Sequence, residues 1–425
     1  MSDEDRVATR AWVLHPDLKS DRERRDPAYA LDEAVSLARA LPGLEVSGAQ
    51  VVPVARAHPG TLFGKGKVAE IKAGLAAAEV ELVLVDGPVT PVQQRNLENA
   101  WGVKLLDRTG LILEIFSDRA RTREGVLQVE MAHLSYQRTR LVRAWTHLER
   151  QRGGLGFVGG PGETQIEADR RAIDEQIVRL RRQLDKVVKT RALHRAARAK
   201  VPFPVVALVG YTNAGKSTLF NRLTGARVMV RDMLFATLDP TMRAVRLPDG
   251  GPEVILSDTV GFISDLPTEL VAAFRATLEE VLGADLIVHV RDISHPETDE
   301  QAEDVRRILA DLGARDETPL IELWNKIDLL PREAREAVQA RAGRLPDVCA
   351  ISAETGEGME TFLELATRAL EAERHVTHLD LPFTEGRKRA WLHEQGVVEH
   401  EVQTETGFAL SVRWTARQEQ RFRDL

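Results

Sequence analysis

Residues 210 to 217 read GYTNAGKS, a match to G-x-x-x-x-G-K-[ST], and the apolar run Val205 to Val209 leads straight into it. The pattern works only where a buried strand turns into a helix whose free backbone N–H groups surround a phosphate chain, so it demands an α/β sheet around itself. Thr218 to Leu223 supplies the first turn and a half of that helix. Gly210 and Gly215 let the backbone approach the phosphates, with Tyr211, Thr212, Asn213 and Ala214 wrapping between them. Lys216 offers a point charge to the β- and γ-phosphates, and the Ser217 hydroxyl, followed by Thr218, is placed to ligate Mg2+.

The base is read downstream. Asn325-Lys326-Ile327-Asp328 follows the apolar strand that contains Leu320, Ile321, Leu323 and Trp324, which puts it at the carboxyl end of a sheet, where open α/β folds bind ligands. The Asp328 carboxylate can accept from guanine N1–H and the N2 amine together. Adenine has no such pair of donors, and the unpaired carboxylate would cost about 1 to 3 kcal/mol. Asn325 would tie this loop to the phosphate loop, and the Lys326 stem would lie along the base plane. Ser352-Ala353-Glu354, after the strand Val348 to Ile351, supplies a backbone N–H for guanine O6. Three motifs in this order point to GTP and GDP.

Between them lies hydrolytic machinery. Val254 to Asp258 is a strand ending in a carboxylate, and Asp258-Thr259-Val260-Gly261 has the form of a second switch. There Asp258 holds Mg2+ through water and the Gly261 N–H senses the γ-phosphate. The first switch falls in Phe235-Ala236-Thr237-Leu238-Asp239-Pro240-Thr241, where one threonine completes the Mg2+ shell; Thr237 is preferred and Thr241 is the alternative. Lys216, Thr237 and Gly261 are thus the catalytic candidates, and Ser217, Thr237 and Asp258 the metal ligands. Phe262 stands where Ras-type enzymes carry the glutamine that orients the attacking water. A phenyl ring cannot do this, so intrinsic hydrolysis is expected to be slow and to depend on backbone groups, an ion or a partner. The Asn213 amide oxygen offers a ligand for a monovalent cation such as K+, unless it only braces the loop.

A length of 425 residues allows about three domains. The hydrophobic fraction of 43% and charged fraction of 29% suit a globular chain in water. The single cysteine, Cys349, excludes a disulfide framework and a Cys-based metal site. The acidic start MSDEDRVATR does not resemble a signal peptide, and no apolar stretch approaches the roughly 20 residues that span a bilayer. A cytoplasmic monomer is the expectation.

The net charge of −7 conceals an asymmetry. Residues 138 to 200 hold 16 Lys and Arg against 7 Asp and Glu, a local +9 that leaves −16 for the remainder. A basic segment in an acidic chain is the pattern of a localised polyanion contact. Leu127, Leu134, Leu141 and Leu148 repeat at heptad spacing with Met131 and Trp145 between; Ile166, Ile173, Leu180 and Val187 do so with Ile177 and Leu184. Two such stripes describe an antiparallel helical hairpin with an apolar seam and arginines outside. Its connector, QRGGLGFVGGPGE, carries six glycines from Gly153 to Gly162 around Phe157 and Val158, a tip suited to ordering inside a nucleic-acid cleft.

Residues 1 to about 120 alternate strands (Ala11 to Leu14, Glu45 to Val54, Glu81 to Val85, Val103 to Leu106) with helices (Leu31 to Ala40, Val68 to Ala77, and one after Pro91). Gly60 to Lys67, GTLFGKGK, imitates a phosphate loop but has one residue too few between its glycines and Gly66 where a hydroxyl belongs, so it reads as a helix-opening loop or, alternatively, an anion site. Residues 376 to 425 suggest a β-rich tail with a helix around Arg387 to Glu394. The fold expected is α/β multidomain: a small N-terminal α/β domain (1–120), a basic helical hairpin with a Gly-rich tip (121–200), a Ras-like P-loop GTPase domain (201–374) and a small C-terminal α+β domain (375–425).

GYTNAGKS, FATLDPT, DTVGF, NKID and SAE, preceded by GGLGFVGGPGETQIEADRR, together resemble one family over essentially the whole chain: HflX, the ribosome-associated GTPases of the Obg-HflX group. The resemblance implies Mg2+-dependent GTP hydrolysis with Ser217 and Thr237 as metal ligands. It further implies binding to the large ribosomal subunit and its RNA, and dissociation of stalled or idle ribosomes under stress, the Gly-rich arm being directed at the peptidyl transferase region. Phe262 in place of glutamine belongs to that pattern. Some members are thought to remodel RNA with ATP through the N-terminal part, for which the defective loop at Gly60 gives no support. A ribosome-assembly GTPase of the Obg or Era type and a non-hydrolytic, nucleotide-gated binding module are the other classes compatible with the sequence.

Overall fold

The structure, a computed structural model, describes residues 8–19, 25–151, 161–198, 203–226, 234–235, 241–248, 251–264, 281–314, 318–372, 374–423 and 425. They fall into two compact units. One holds the described residues up to Val188 together with Leu234 and Phe235, and the other holds the rest from Lys189 onward.

The first unit opens with β1 (Thr9–Leu18), α1 (Pro27–Ala40), β2 (Leu44–Val54), α2 (Lys65–Ala77), β3 (Leu82–Val85), α3 (Pro91–Trp101), β4 (Lys104–Asp107) and α4 (Arg108–Arg119). Its four strands are parallel in the order β2-β1-β3-β4. Local chemistry sets the helix starts. Asp26 accepts the Ala28 N–H with Pro27 at the first helical position, and Thr90 and Gln93 form a reciprocal capping box before α3. Gly64 is the N-cap of α2, so GTLFGKGK does open a helix. Leu14, Phe63, Val83 and Leu97 are fully enclosed between sheet and helices, each contributing roughly 1.5 to 3 kcal/mol by leaving water.

Two long helices follow, α5 (Arg123–Gln151) and α6 (Pro161–Arg198). Leu127, Leu134, Ile177 and Leu180 form one buried cluster, with Met131, Ile173, Leu184 and Val187 packed on it, which is the heptad seam. The pairing Arg138–Asp174 at 3.1 Å and the Gln176 amide's donation to Glu130 fix an antiparallel arrangement. Arg179, Arg181 and Arg182 are exposed, off the seam. The Gly-rich segment 152–160 and the side chains of Leu141, Trp145, Leu148 and Ile166 lie outside the described residues.

The second unit contains β5 (Val205–Gly210), α7 (Lys216–Thr224), β6 (Thr241–Arg246), β7 (Glu253–Asp258), β8 (Leu286–Asp292), α8 (Thr298–Asp311), β9 (Leu320–Asn325) and β10 (Val348–Ala350), with further helices at Arg332–Ala342 and Met359–Ala372. The sheet runs β10-β9-β8-β5-β7-β6, parallel except for the edge strand β6. Strands covered on both faces read as continuous apolar runs; β5 does so, and β8 begins so at Leu286 to Val288 before the buried His289 and Arg291. Leu208, Leu219, Phe220, Leu286, Val288 and Leu323 fill the core between sheet and helices. The chain ends in an antiparallel sheet, β11 (Arg374–Pro382), β13 (Gly407–Thr415) and β12 (Val398–Gln403) in that spatial order, closed over Trp414, Val412 and Leu392 by the helix Gly386–Glu394.

Candidate functional site

The carboxyl ends of β5, β7 and β9 carry Gly210, Asp258 and Asn325, and Ser352 follows β10, so one edge of the parallel sheet gathers four of the motifs. Gly215 opens α7 at φ +95, and a Cβ there would fall 2.2 Å from Asn325 Nδ2; only glycine allows this approach. Asn213 is exposed at φ +59, a conformation asparagine tolerates better than most residues. Lys216 is buried, and its ammonium donates to the carbonyls of Gly210 at 3.1 Å and Tyr211 at 2.7 Å, which leaves one of its three protons for a phosphate. Burial pushes this ammonium down to about 8, the Asp258 carboxylate pulling it upward and Lys326 adding to the fall.

Ser217 Oγ donates to Asp258 Oδ2 at 2.8 Å, and Asp258 is wholly enclosed. A hydroxyl and a carboxylate meeting at one point are the oxygen donors a hard cation takes, and Mg2+ in such a place shares its shell with phosphate oxygens and waters. Among the described residues no group of three or more His, Cys, Asp or Glu side chains could hold a metal by itself. Thr259 Oγ1 donates to the Leu208 carbonyl at 2.6 Å, which anchors the start of the second-switch segment. Val260 and Phe262 are buried, and the Phe262 backbone accepts from Thr212 N–H at 2.7 Å and donates to the Gly210 carbonyl at 3.1 Å.

At the ends of β9 and β10 Asn325 joins three segments, donating from Nδ2 to the Ala214 carbonyl at 2.8 Å and accepting the Ala353 N–H at 2.9 Å. Lys326 sits at φ +67 with its ammonium 2.8 Å from Asp292. Ile327 and Asp328 occupy the short turn that follows, Ile327 buried and Asp328 partly exposed. Ser352 is buried and its Oγ accepts the Thr355 N–H at 3.0 Å, while Glu354 faces solvent.

Of the first-switch heptapeptide, Ala236, Thr237, Leu238, Asp239 and Pro240 lie outside the described residues. Phe235 is buried in the first unit, edge-on to Phe116 with ring centroids 4.6 Å apart. Thr241 begins β6, opposite Asp258 in the register.

Two residues of this edge were not singled out by the motifs. Arg222 of α7 donates through Nε to the Ala353 carbonyl at 2.6 Å and through Nη2 to the Glu354 carbonyl. Its neighbours Leu219, Phe220 and Leu223 supply the core, and nothing in the local pattern marks an arginine that reaches 131 residues along the chain. Asp292, the Lys326 partner, was more legible, as a carboxylate at the end of an apolar strand.

Three family models match the chain. They are described as the GTP-binding GTPase N-terminal region over residues 28–117, the GTP-binding GTPase middle region over 119–198, and the 50S ribosome-binding GTPase over 205–326. The GTPase HflX of Magnetococcus marinus is 52% identical over 388 residues, covering 91% of this chain and 88% of its own. That of Escherichia coli (strain K12) is 43% identical over 401 residues, 93% of this chain and 91% of its own. Among solved structures, a GTP-binding protein from the hyperthermophilic archaeon Sulfolobus solfataricus in complex with GDP matches at 22% identity and a TM-score of 0.45, over 85% of this chain and 98% of that one. On the family models and on relatives of this identity spanning more than nine-tenths of its length, the chain belongs to the HflX family of GTPases.

Proposed function

We propose that this chain hydrolyses GTP to GDP and phosphate with Mg2+, and uses the nucleotide state to act on the large ribosomal subunit, dissociating stalled or idle ribosomes under stress. The observation that carries the nucleotide reading is Asn325, whose one amide ties the phosphate loop at Ala214 to the Ala353 turn and so supports a single site for phosphate and base. The ribosomal reading is supported by the family description over residues 205–326 and by the exposed arginines of the α5–α6 hairpin.

In this reading the phosphate chain lies against the N-terminus of α7, where free N–H groups and the helix dipole favour anions. Lys216, held by two loop carbonyls, turns its remaining proton toward the β- and γ-phosphates. Ser217 and Asp258, with Thr237 from the first switch, would hold Mg2+, which neutralises charge on the β- and γ-oxygens. The Gly261 N–H donates to the γ-phosphate. Water attacks the γ-phosphorus as the bond to the bridging oxygen breaks, the electron pair leaves with GDP, and the water proton ends on the released phosphate. The Phe262 ring is buried and cannot orient that water, so hydrolysis is slow until a partner completes the site. Asn213, which is exposed on the loop, would help hold K+ beside the phosphates. Asp328 reads guanine N1–H and N2, and the Ser352 to Glu354 turn offers a backbone N–H to O6.

The protein would work as a monomer in the cytoplasm, associated with ribosomes; no helix among the described residues is long and apolar enough to cross a membrane. The test is phosphate release from GTP by the purified protein with Mg2+, alone and with large subunits. A slow rate that rises on large subunits supports the reading, and a rate indifferent to them removes the ribosomal part.

A further inference from the structure

The phosphate loop has a phenol at its second position, and backbone phosphate binding alone has no use for it. Tyr211 is buried, and its hydroxyl accepts the Ser264 backbone N–H at 2.7 Å while standing 2.7 Å from Ser264 Oγ. Ser264 Oγ in turn donates to Asp304 Oδ2 of α8 at 3.0 Å. A serine hydroxyl has one proton, and the carboxylate takes it, so the Tyr211 O–H must donate to Ser264 Oγ. The order is therefore Tyr211 to Ser264 to Asp304, ending on an ionised acceptor, with the Ser264 N–H closing a ring on the phenol. Charge-assisted chains of this kind are stiffer than isolated hydrogen bonds.

Ser264 lies six residues along the chain from Asp258. The stretch between them is also pinned at Phe262, whose backbone bridges to Gly210 and Thr212 on either side of Tyr211. Between the two attachments to the loop and the anchor at Thr259 lies Gly261. A Cβ on Gly261 would fall 2.8 Å from Thr212 Cγ2 and 3.1 Å from Lys216 Nζ, so its backbone lies directly beside the ammonium that faces the γ-phosphate.

We propose that Tyr211, Ser264 and Asp304 are positioning residues: their relay holds the Gly261 amide beside Lys216 before nucleotide arrives, and so favours GTP over GDP and raises the rate of hydrolysis. The proposal rests on the reading of the site as one for GTP. Its physical content is that the ordering of the second switch is met by the protein in advance rather than by the γ-phosphate. GDP does not reach Gly261, so the relay should leave GDP binding alone.

The experiment measures dissociation constants for GDP and for a slowly hydrolysed GTP analogue with Mg2+, and single-turnover hydrolysis, in the parent and in Tyr211→Phe, Ser264→Ala and Asp304→Asn. Losing the phenol or serine hydroxyl should weaken the analogue by about two- to tenfold, the range of one net hydrogen bond, and slow hydrolysis similarly, with GDP affinity within about twofold of parental. Asp304→Asn keeps an acceptor oxygen but removes the charge, so it should show a smaller loss in the same direction, again with GDP affinity near the parent. Equal losses for GDP and the analogue would make the trio a general brace and overturn the relay, as would unchanged constants in both Tyr211→Phe and Ser264→Ala. A parent that bound neither nucleotide would overturn the GTP reading itself, and the relay with it.

Discussion

Arg222 Nε donates to the Ala353 carbonyl at 2.6 Å, so the helix that follows the phosphate loop also holds the turn after β10. The same guanidinium reaches the Glu354 carbonyl, and a Cβ on Gly356 would fall 2.7 Å from its Nη1. Arg222→Met should weaken GTP and GDP alike by about 10- to 100-fold, the range for a lost hydrogen bond to a charged group. Fluorescent-nucleotide titration checks this, and parental affinity would mean that the turn holds itself.

Asp328→Asn should shift preference from GTP toward xanthosine triphosphate. The new amide presents a donor where guanine also donates and xanthine accepts, and a site built for one hydrogen-bond pattern rejects the other strongly. Competition binding with the two triphosphates reads the change. A variant that still bound GTP as the parent does would remove the base assignment to Asp328.

The strand-to-helix turn of the phosphate loop and its closeness to Asn325 were legible because that geometry fixes both residue type and spacing: Gly215 has no room for a side chain beside Asn325, and Lys216 stands at the opening of the helix. The hairpin seam was legible for the same reason, since Leu127, Leu134, Ile177 and Leu180 repeat at the period of packed helices. Long-range polar contacts were not. Arg222 reaching Ala353, Tyr211 reaching Ser264, and Ser264 reaching Asp304, depend on which segments the folded sheet brings together. A single polar side chain on an otherwise apolar helix face or loop carries no periodic mark of such a partner.

K+ should support hydrolysis better than Na+, and Asn213→Ala should abolish the difference. The motivation is the exposed amide at φ +59 on the loop, together with the burial of Phe262, which leaves positioning of the attacking water to another group such as an ion. Steady-state rates in matched chloride salts decide it. Equal parental rates in the two salts would rule the cation out.

Neutralising Arg179, Arg181 and Arg182 together to Gln should weaken binding to large subunits and flatten its salt dependence, because exposed arginines off an apolar seam act on RNA through phosphate charge. Co-sedimentation across a salt series gives the slope. Guanine-nucleotide binding should not change, since these residues belong to the first unit and the phosphate loop, Asp258, Asn325 to Asp328 and Ser352 to Glu354 to the second. An unaltered slope would assign ribosome contact to another surface.

The most direct test of the account is sedimentation of whole ribosomes incubated with the purified protein and GTP, a non-hydrolysable GTP analogue or GDP. The account predicts that subunits separate with GTP and not with GDP, and that replacing residues 153–162 by a short Gly-Ser linker abolishes the separation while sparing nucleotide binding. Ribosomes that sediment intact with GTP, or that separate equally well with GDP, would contradict it.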